Sequence, residues 1–160
     1  MTIRIVRAET GDWQRYREIR LRALAESPEA YASSLEREQA YDTDRWQQLL
    51  TGAATFLAIE DRQVVGTATG WRQDDEELRV VAMYVVPEAR GRRVAHALLD
   101  EIRRQAHEQA AGRLVLDVAE GNAGALASYR AYGFEPTGVT RPMERDESIV
   151  EIELALPLGP

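Results

Sequence analysis

The chain contains no cysteine. That excludes a disulfide scaffold, a thiolate nucleophile and a cysteine-based zinc site. Its two histidines, His96 and His107, fall in one helical stretch. They stand about 16 Å apart at 1.5 Å per residue, so they cannot share a metal, and no metal is expected. A G-x-S-x-G elbow is missing, and so is the phosphate loop G-x-x-x-x-G-K-[ST]. Little case is left for a serine hydrolase or a P-loop nucleotidase. No apolar run approaches a membrane span, and the opening MTIRIVRAETGDW has no apolar signal core. A cytoplasmic protein without a membrane partner is expected. Positive charge is in deficit: 20 basic against 27 acidic side chains give a net charge of −7. That balance argues against nucleic acid as the main partner. There is no internal repeat, low-complexity segment or linker.

What is present suits a single domain over residues 1–160, with 44% apolar and 29% charged residues. Its organising stretch covers residues 77–99. Val80, Val81, Met83, Tyr84, Val85 and Val86 make a nearly continuous apolar run, the pattern of a strand buried on both faces. Pro87 ends it, because proline has no N–H for a ladder. After Glu88, Ala89, Arg90 and Gly91 a helix begins, with Val94, Leu98, Ile102 and Ala106 on one stripe. A strand feeding a helix through a glycine turn is suited to a phosphate. The first helical N–H groups lack partners and the macrodipole is positive there. Arg90, Arg92 and Arg93 add guanidinium groups. A turn with solvated arginines is the alternative.

The remaining elements follow from periodicity and punctuation. Residues 2–7 read as a strand suited to a sheet edge. Trp13, Tyr16, Ile19, Ala23 and Leu24 recur at helical spacing until Ser27-Pro28 breaks the helix. Core packing is the favoured role of Trp13 and Tyr16. Ala30, Tyr31 and Leu35 suit a short helix, and Trp46, Leu49 and Leu50 a further one capped by Asp42 or Thr43. Residues 55–59 and 64–71 read as two strands, the second containing Gly66 and Gly70, which mark a bulge or a close backbone approach. Leu114, Leu116 and Val118 alternate in a fifth strand. Asn122 caps a helix carrying Ala125, Leu126, Tyr129 and Tyr132, and Gly133 stops it. Residues 134–139 and 148–156 are the last strands, and PLGP reads as a loose tail. Counting the region before the second strand as two helices, the order is β-α-α-β-β-β-α-β-α-β-β. That is an α/β domain around one mixed, mostly antiparallel sheet flanked by helices.

Two blocks carry a family resemblance. Val85-Val86-Pro87-Glu88-Ala89-Arg90-Gly91-Arg92-Arg93-Val94-Ala95 resembles the acyl-CoA-binding motif V-x-P-x-x-[RQ]-G-x-G-x-[GA] of the GNAT superfamily of N-acetyltransferases. Asn122, Ala125, Tyr129, Gly133 and Phe134 match that family's N-x-x-A-x-x-x-Y-x-x-x-G-F pattern. The resemblance covers residues 77–134 clearly and the flanks in outline. One departure stands out: Arg93 takes the place of a second glycine. The resemblance implies a fold in which the fourth and fifth strands splay to leave a cleft. It implies direct transfer of an acetyl group from acetyl-CoA to an amine, without a covalent enzyme intermediate. A homodimer is common in that family and is expected here.

Roles carried over from the resemblance have physical jobs. Backbone groups of Met83, Tyr84 and Val85 would pair with the pantetheine arm. N–H groups over Gly91, Arg92, Arg93, Val94 and Ala95, with Arg90 beside them, would hold the pyrophosphate. Asn122 would hydrogen-bond the cofactor or cap its own helix. Tyr129 takes the general-acid position, since a phenol near pKa 10 can protonate a departing thiolate held close to it. A core tyrosine is its alternative role. Glu77, Asp117, Glu120, Glu36 and Glu38 are all candidates for the base, and none is singled out. The acceptor is a small amine, an aminoglycoside-like polyamine or a peptide N-terminus. Arg93 leaves two outcomes open: cofactor bound through the retained N–H, or a site weakened by crowding. A non-catalytic acyl-CoA-binding or interaction module on the same fold is the competing function.

Overall fold

The computed structural model describes residues 2–144 and 146–159. Seven strands and five α-helices follow in the order β1 (Arg4–Arg7), α1 (Trp13–Glu26), α2 (Leu35–Gln39), α3 (Thr43–Leu49), β2 (Ala54–Glu60), β3 (Gln63–Arg72), β4 (Glu77–Val85), α4 (Val94–Glu108), β5 (Arg113–Ala119), α5 (Ala123–Tyr132), β6 (Glu135–Pro142) and β7 (Val150–Pro157). The region before β2, counted as two helices in the summary order, holds three: the first, the short one near Leu35 and the further one after Asp42, each read separately from the residues. Ser34 accepts a hydrogen bond from Arg37 N–H and Asp42 one from Arg45 N–H, so α2 and α3 start separately. Tyr31 is not helical as expected; its backbone is extended and its side chain buried. The strand expected to end near 139 continues to Pro142, as its pairing with β7 carries it into the expected loop. The tail is tied down at Leu158, whose N–H donates to Gly112 O at 2.8 Å; Pro160 lies outside the described residues.

The strands form one sheet in the order β1-β2-β3-β4-β5-β7-β6. Every neighbouring pair is antiparallel except β4 and β5, which run parallel. β1 is an edge strand, as its short alternating sequence suits. α4 buries Val94, Leu98, Leu99, Ile102 and Ala106, the stripe read from its 3.6-residue period. α1 buries Tyr16, Ile19, Ala23 and Leu24, and Tyr16 meets Trp46 edge-on at 5.9 Å.

The two glycines of β3 serve close approach. A Cβ at Gly66 would lie 3.1 Å from Val94 Cγ1 and 3.3 Å from Leu98 Cδ1; one at Gly70 would lie 3.2 Å from Ile102 Cγ2. The helix therefore rests directly on the β3 backbone. β3 itself bulges beside Gly66, where Val64 and Gly66 pair with the adjacent Ile59 and Ala58; β4 bulges as well, with two residues between Val81 and Tyr84 where one lies between their partners Thr69 and Thr67. Ala82 takes φ +56° there, an unusual conformation for a residue with a Cβ.

Replacing Gly66 by valine should lift α4 from the sheet. We expect a loss of about 1–3 kcal/mol, the usual range for overpacking, read as a lower denaturant midpoint at unchanged m-value.

Candidate active site

The pairing of β4 with β5 lasts for Glu77↔Arg113, Leu78↔Leu114 and Arg79↔Val115 and then ends. Beyond it the strands part, as the resemblance implied. The bulge at Ala82 turns β4 away, because a bulge bends its strand and increases local twist. Between the strand ends lies a cleft of about 1120 Å³, with Met83 to Val85 on one wall, Ala119 to Asn122 on the other, and Gly91 and Ala95 at its mouth. A second cavity of about 420 Å³ is lined by Arg79 to Met83, Leu116 to Ala119, Arg20 and Glu151. Tyr31, Met83, Asn122 and Tyr129 line both. The two cavities therefore meet along these residues, which form the partition between them.

Strand alternation decides which backbone groups face the cleft. Val86 N–H donates to Val65 O across to β3, so the groups of Val85 and Met83 point the other way. Val85 O accepts from Arg90 Nε at 2.9 Å, and Met83 O accepts from the Tyr31 hydroxyl at 3.2 Å. Tyr84 differs from the expectation for it. By the same alternation its backbone groups face β3, although the residue lines the cleft, and its hydroxyl donates to Glu26. Burial, and then that bond, push the Tyr84 hydroxyl well above its ordinary value.

At the turn, Gly91 has φ +79° and nothing within 4 Å of where a Cβ would be. The backbone is open to an approaching group. Arg90 bonds Glu26, and Arg92 bonds Glu60 through both carboxylate oxygens at 2.7 and 2.9 Å. Arg93 makes no ion pair among the described residues, is exposed, and has φ +63°, ψ +25° as the residue preceding α4. Arg92, Arg93 and Val94 do not line the cleft. Val94 has its side chain in the core against Gly66. Arg93 thus occupies a glycine-like conformation without filling the cleft.

Asn122 Oδ1 accepts from Ala125 N–H at 3.2 Å. The cap of α5 takes its carbonyl oxygen, leaving the NH₂ group for a ligand. Tyr129 is half-buried, and its ring meets Phe134 edge-on at 5.9 Å. Its hydroxyl has no hydrogen-bond partner among the described residues. Burial pushes that hydroxyl well above its ordinary value, so it stays protonated at neutral pH. Tyr31 beside it is raised to about 12, chiefly by burial and against the nearby Arg20.

The carboxylates separate clearly. Glu77 is paired with Arg113 at the closed end of the fork. Glu36 is exposed on α2. Glu38 is buried and held by Arg20 at 2.9 and 3.0 Å; burial opposes its charge, but Arg20 outweighs it and keeps the carboxyl below the usual range. Asp117 accepts from Arg79 at 2.8 Å and from Arg141 at 2.7 Å. Glu120 is exposed at the rim of the larger cleft. Glu151 was not among the sequence candidates. It lines the smaller cavity with no hydrogen bond or ion pair among the described residues, and its carboxyl is raised, first by burial and then by Asp117. Tyr31 was also missed as a site residue. Both lay in segments readable only as strand or helix, with no motif spacing to mark them.

The sequence profile described as the acetyltransferase (GNAT) family matches residues 13–134. No curated protein sequence matches the chain. A GNAT-family acetyltransferase from Streptococcus pneumoniae superposes with a TM-score of 0.84 at 17% identity, over 99% of this chain and 100% of that one. The yncA protein of Salmonella typhimurium, solved with its cofactor acetyl-CoA, gives 0.80 at 20% identity over 100% and 96%. The ribosomal-protein-S18-alanine N-acetyltransferase of Escherichia coli gives 0.74 at 20% identity over 99% and 96%. At these identities the likeness is one of fold.

The left-handed Arg93 yields a stability test. Arginine pays a steric cost there that glycine avoids, while glycine loses more backbone entropy on folding. Arg93→Gly should stabilise the protein by about 0.5–1 kcal/mol, seen as a raised midpoint in urea.

Proposed function

Because the chain belongs to the acetyltransferase (GNAT) family, we propose that it transfers an acetyl group from acetyl-CoA to an amine held across the fork. The observation that carries this reading is the unpartnered Tyr129 hydroxyl on the wall shared by both cavities. Acetyl-CoA supplies the acetyl group as an activated thioester. The larger cleft suits it in volume, lying just above the roughly 300–1,000 Å³ of small-molecule sites.

The chain's own groups would act as follows. The open backbone at Gly91 and the first N–H groups of α4 hold the pyrophosphate. Arg93 keeps its N–H and stands outside the cleft, which supports cofactor binding rather than crowding. Met83 and Val85 offer cleft-facing backbone groups to the pantetheine arm, once Tyr31 and Arg90 release their carbonyls. The Asn122 NH₂ group adds a donor at the partition. Tyr129, protonated at neutral pH, donates a proton to the departing sulfur held against it. Holding thioester and amine on either side of one partition supplies most of the rest, by fixing their approach. The smaller cavity is the acceptor's side, and a small-molecule amine or a peptide N-terminus fits there.

Calorimetric titration of acetyl-CoA should show saturable one-site binding. Tyr129→Phe should retain that binding within a few-fold while turnover falls by about 10²–10⁴, the span of general acid–base catalysis. Thiol release over a panel of primary amines reads the second quantity. All 20 cationic side chains are arginine, so lysine acetylation of the protein itself cannot contribute to the signal. Unchanged turnover in the variant would remove Tyr129 from the acid role.

A further inference from the structure

Counting the charged side chains that line the acceptor-side cavity together with their ion-pair partners, the described residues leave one carboxylate over. Arg20 and Glu38 neutralise each other at 2.9 Å. Arg79 and Arg141 stand against Asp117 and Glu153, which accept from both: Glu153 Oε2 at 3.2 Å from each arginine, with Oε1 taken by Thr137 at 3.0 Å. Burial opposes the charge on Glu153, but these bonds hold its carboxyl below the usual range. These two groups are neutral in sum. Glu151 is left over. It sits opposite Ala119 in the β5–β7 register and opposite Arg141 in β6–β7, without ion pairing to that arginine. Asp117 is its nearest named negative neighbour in influence, while Arg141 and Arg79 act on it only at a distance.

We infer that Glu151 is the residue that receives the acceptor's ammonium group and takes its proton, making this a site for cationic primary amines. The inference rests on the amine-transfer reading above and adds the residue and the acceptor's charge to it. An unpaired, partly buried carboxylate gains most from a cationic partner, because a nearby opposite charge offsets the penalty of burial. A carboxylate already held by two arginines, such as Asp117, gains little. The step balances as follows. One ammonium proton passes to the Glu151 carboxylate. The freed nitrogen bonds the acetyl carbon as the carbon–sulfur bond breaks. The sulfur takes the Tyr129 proton, and the nitrogen's surplus proton restores the phenol. Glu151 then releases its proton to water.

The test is thiol release from acetyl-CoA with putrescine, an aminoglycoside and an alanine-initiated peptide as probes, for wild type, Glu151→Gln and Glu151→Asp. Glu151→Gln should lower kcat/KM for an accepted amine about 10²-fold or more near neutral pH. Its activity should then climb with pH as free amine becomes available, where the wild type has already levelled off. Glu151→Asp should recover part of the loss and the plateau. Acetyl-CoA binding by calorimetry should be unchanged in both. Glu151→Gln should melt no earlier than wild type at neutral pH: a carboxyl raised in the folded state opposes folding once ionised. Turnover within threefold of wild type with the same pH profile would overturn the assignment while leaving the amine reading intact. So would equal losses in both variants at every pH. A wild type that binds acetyl-CoA but acetylates none of the amines would overturn the amine reading, and this assignment with it.

Discussion

Two half-sheets, β1 to β4 and β5-β7-β6, are joined along only three residue pairs. Leu78 and Leu114 lie fully buried at the joint. Arg79 stands in the last pair, and its guanidinium reaches Asp117 on β5 and Glu153 on β7. Placing these charges in a half-buried position has a desolvation cost that their mutual bonds must offset. The arrangement therefore contributes geometry more clearly than net stability. It pins the two halves together at one end. The cleft and the partition within it lie beyond the point where the ladder stops and the Ala82 bulge turns β4 away.

The Gly91 turn depends on a different contact, the close rest of α4 on β3. Gly66 admits Val94 and Leu98, which fixes the height of the α4 N-terminus above the sheet. The ion pairs around the turn then tie it to neighbouring elements, Arg90 to α1 and Arg92 to the end of β2. Exposed pairs of this kind contribute little to stability. Their effect is on shape: two of the three turn arginines have carboxylate partners, and Arg93 alone has none among the described residues. Tyr84, bonded to the same Glu26 as Arg90, links that network to the bulged strand.

Within the fork, neighbouring tyrosines have different surroundings. Tyr31 is bound to a strand carbonyl and stacked under Arg20 at 5.0 Å. Tyr129 has a packed ring and an unpartnered hydroxyl. The same contrast runs through the carboxylates, with Asp117 and Glu38 held by arginines and Glu151 free of them among the described residues. In each case the group suited to proton transfer is the one whose polar end the fold leaves unsatisfied, since a bonded group would have to break a contact before it could act.

The local order of the chain was legible because its signals are local: the α4 stripe, the Asn122 cap, Pro87 after β4 and the Gly133 stop each depend on residues within a turn or two. The two motif blocks were legible for the same reason, and they marked Tyr129 and the Gly91 turn. The extended Tyr31 was not, because a short helix carries few periodic positions and packing decides where it starts. Nor could periodicity separate the bulge at Ala82 from regular strand, or Glu151 from the solvent-facing positions of an alternating strand. Whether a carboxylate ends up paired depends on which arginines other strands bring to it, and Arg79 and Arg141 arrive from 38 and 24 residues away in sequence at Asp117. The sequence by itself determined the elements and the two motif-bearing loops. Only the tertiary structure decided where β4 leaves β5, and so which of its charges remain unpaired inside the fork.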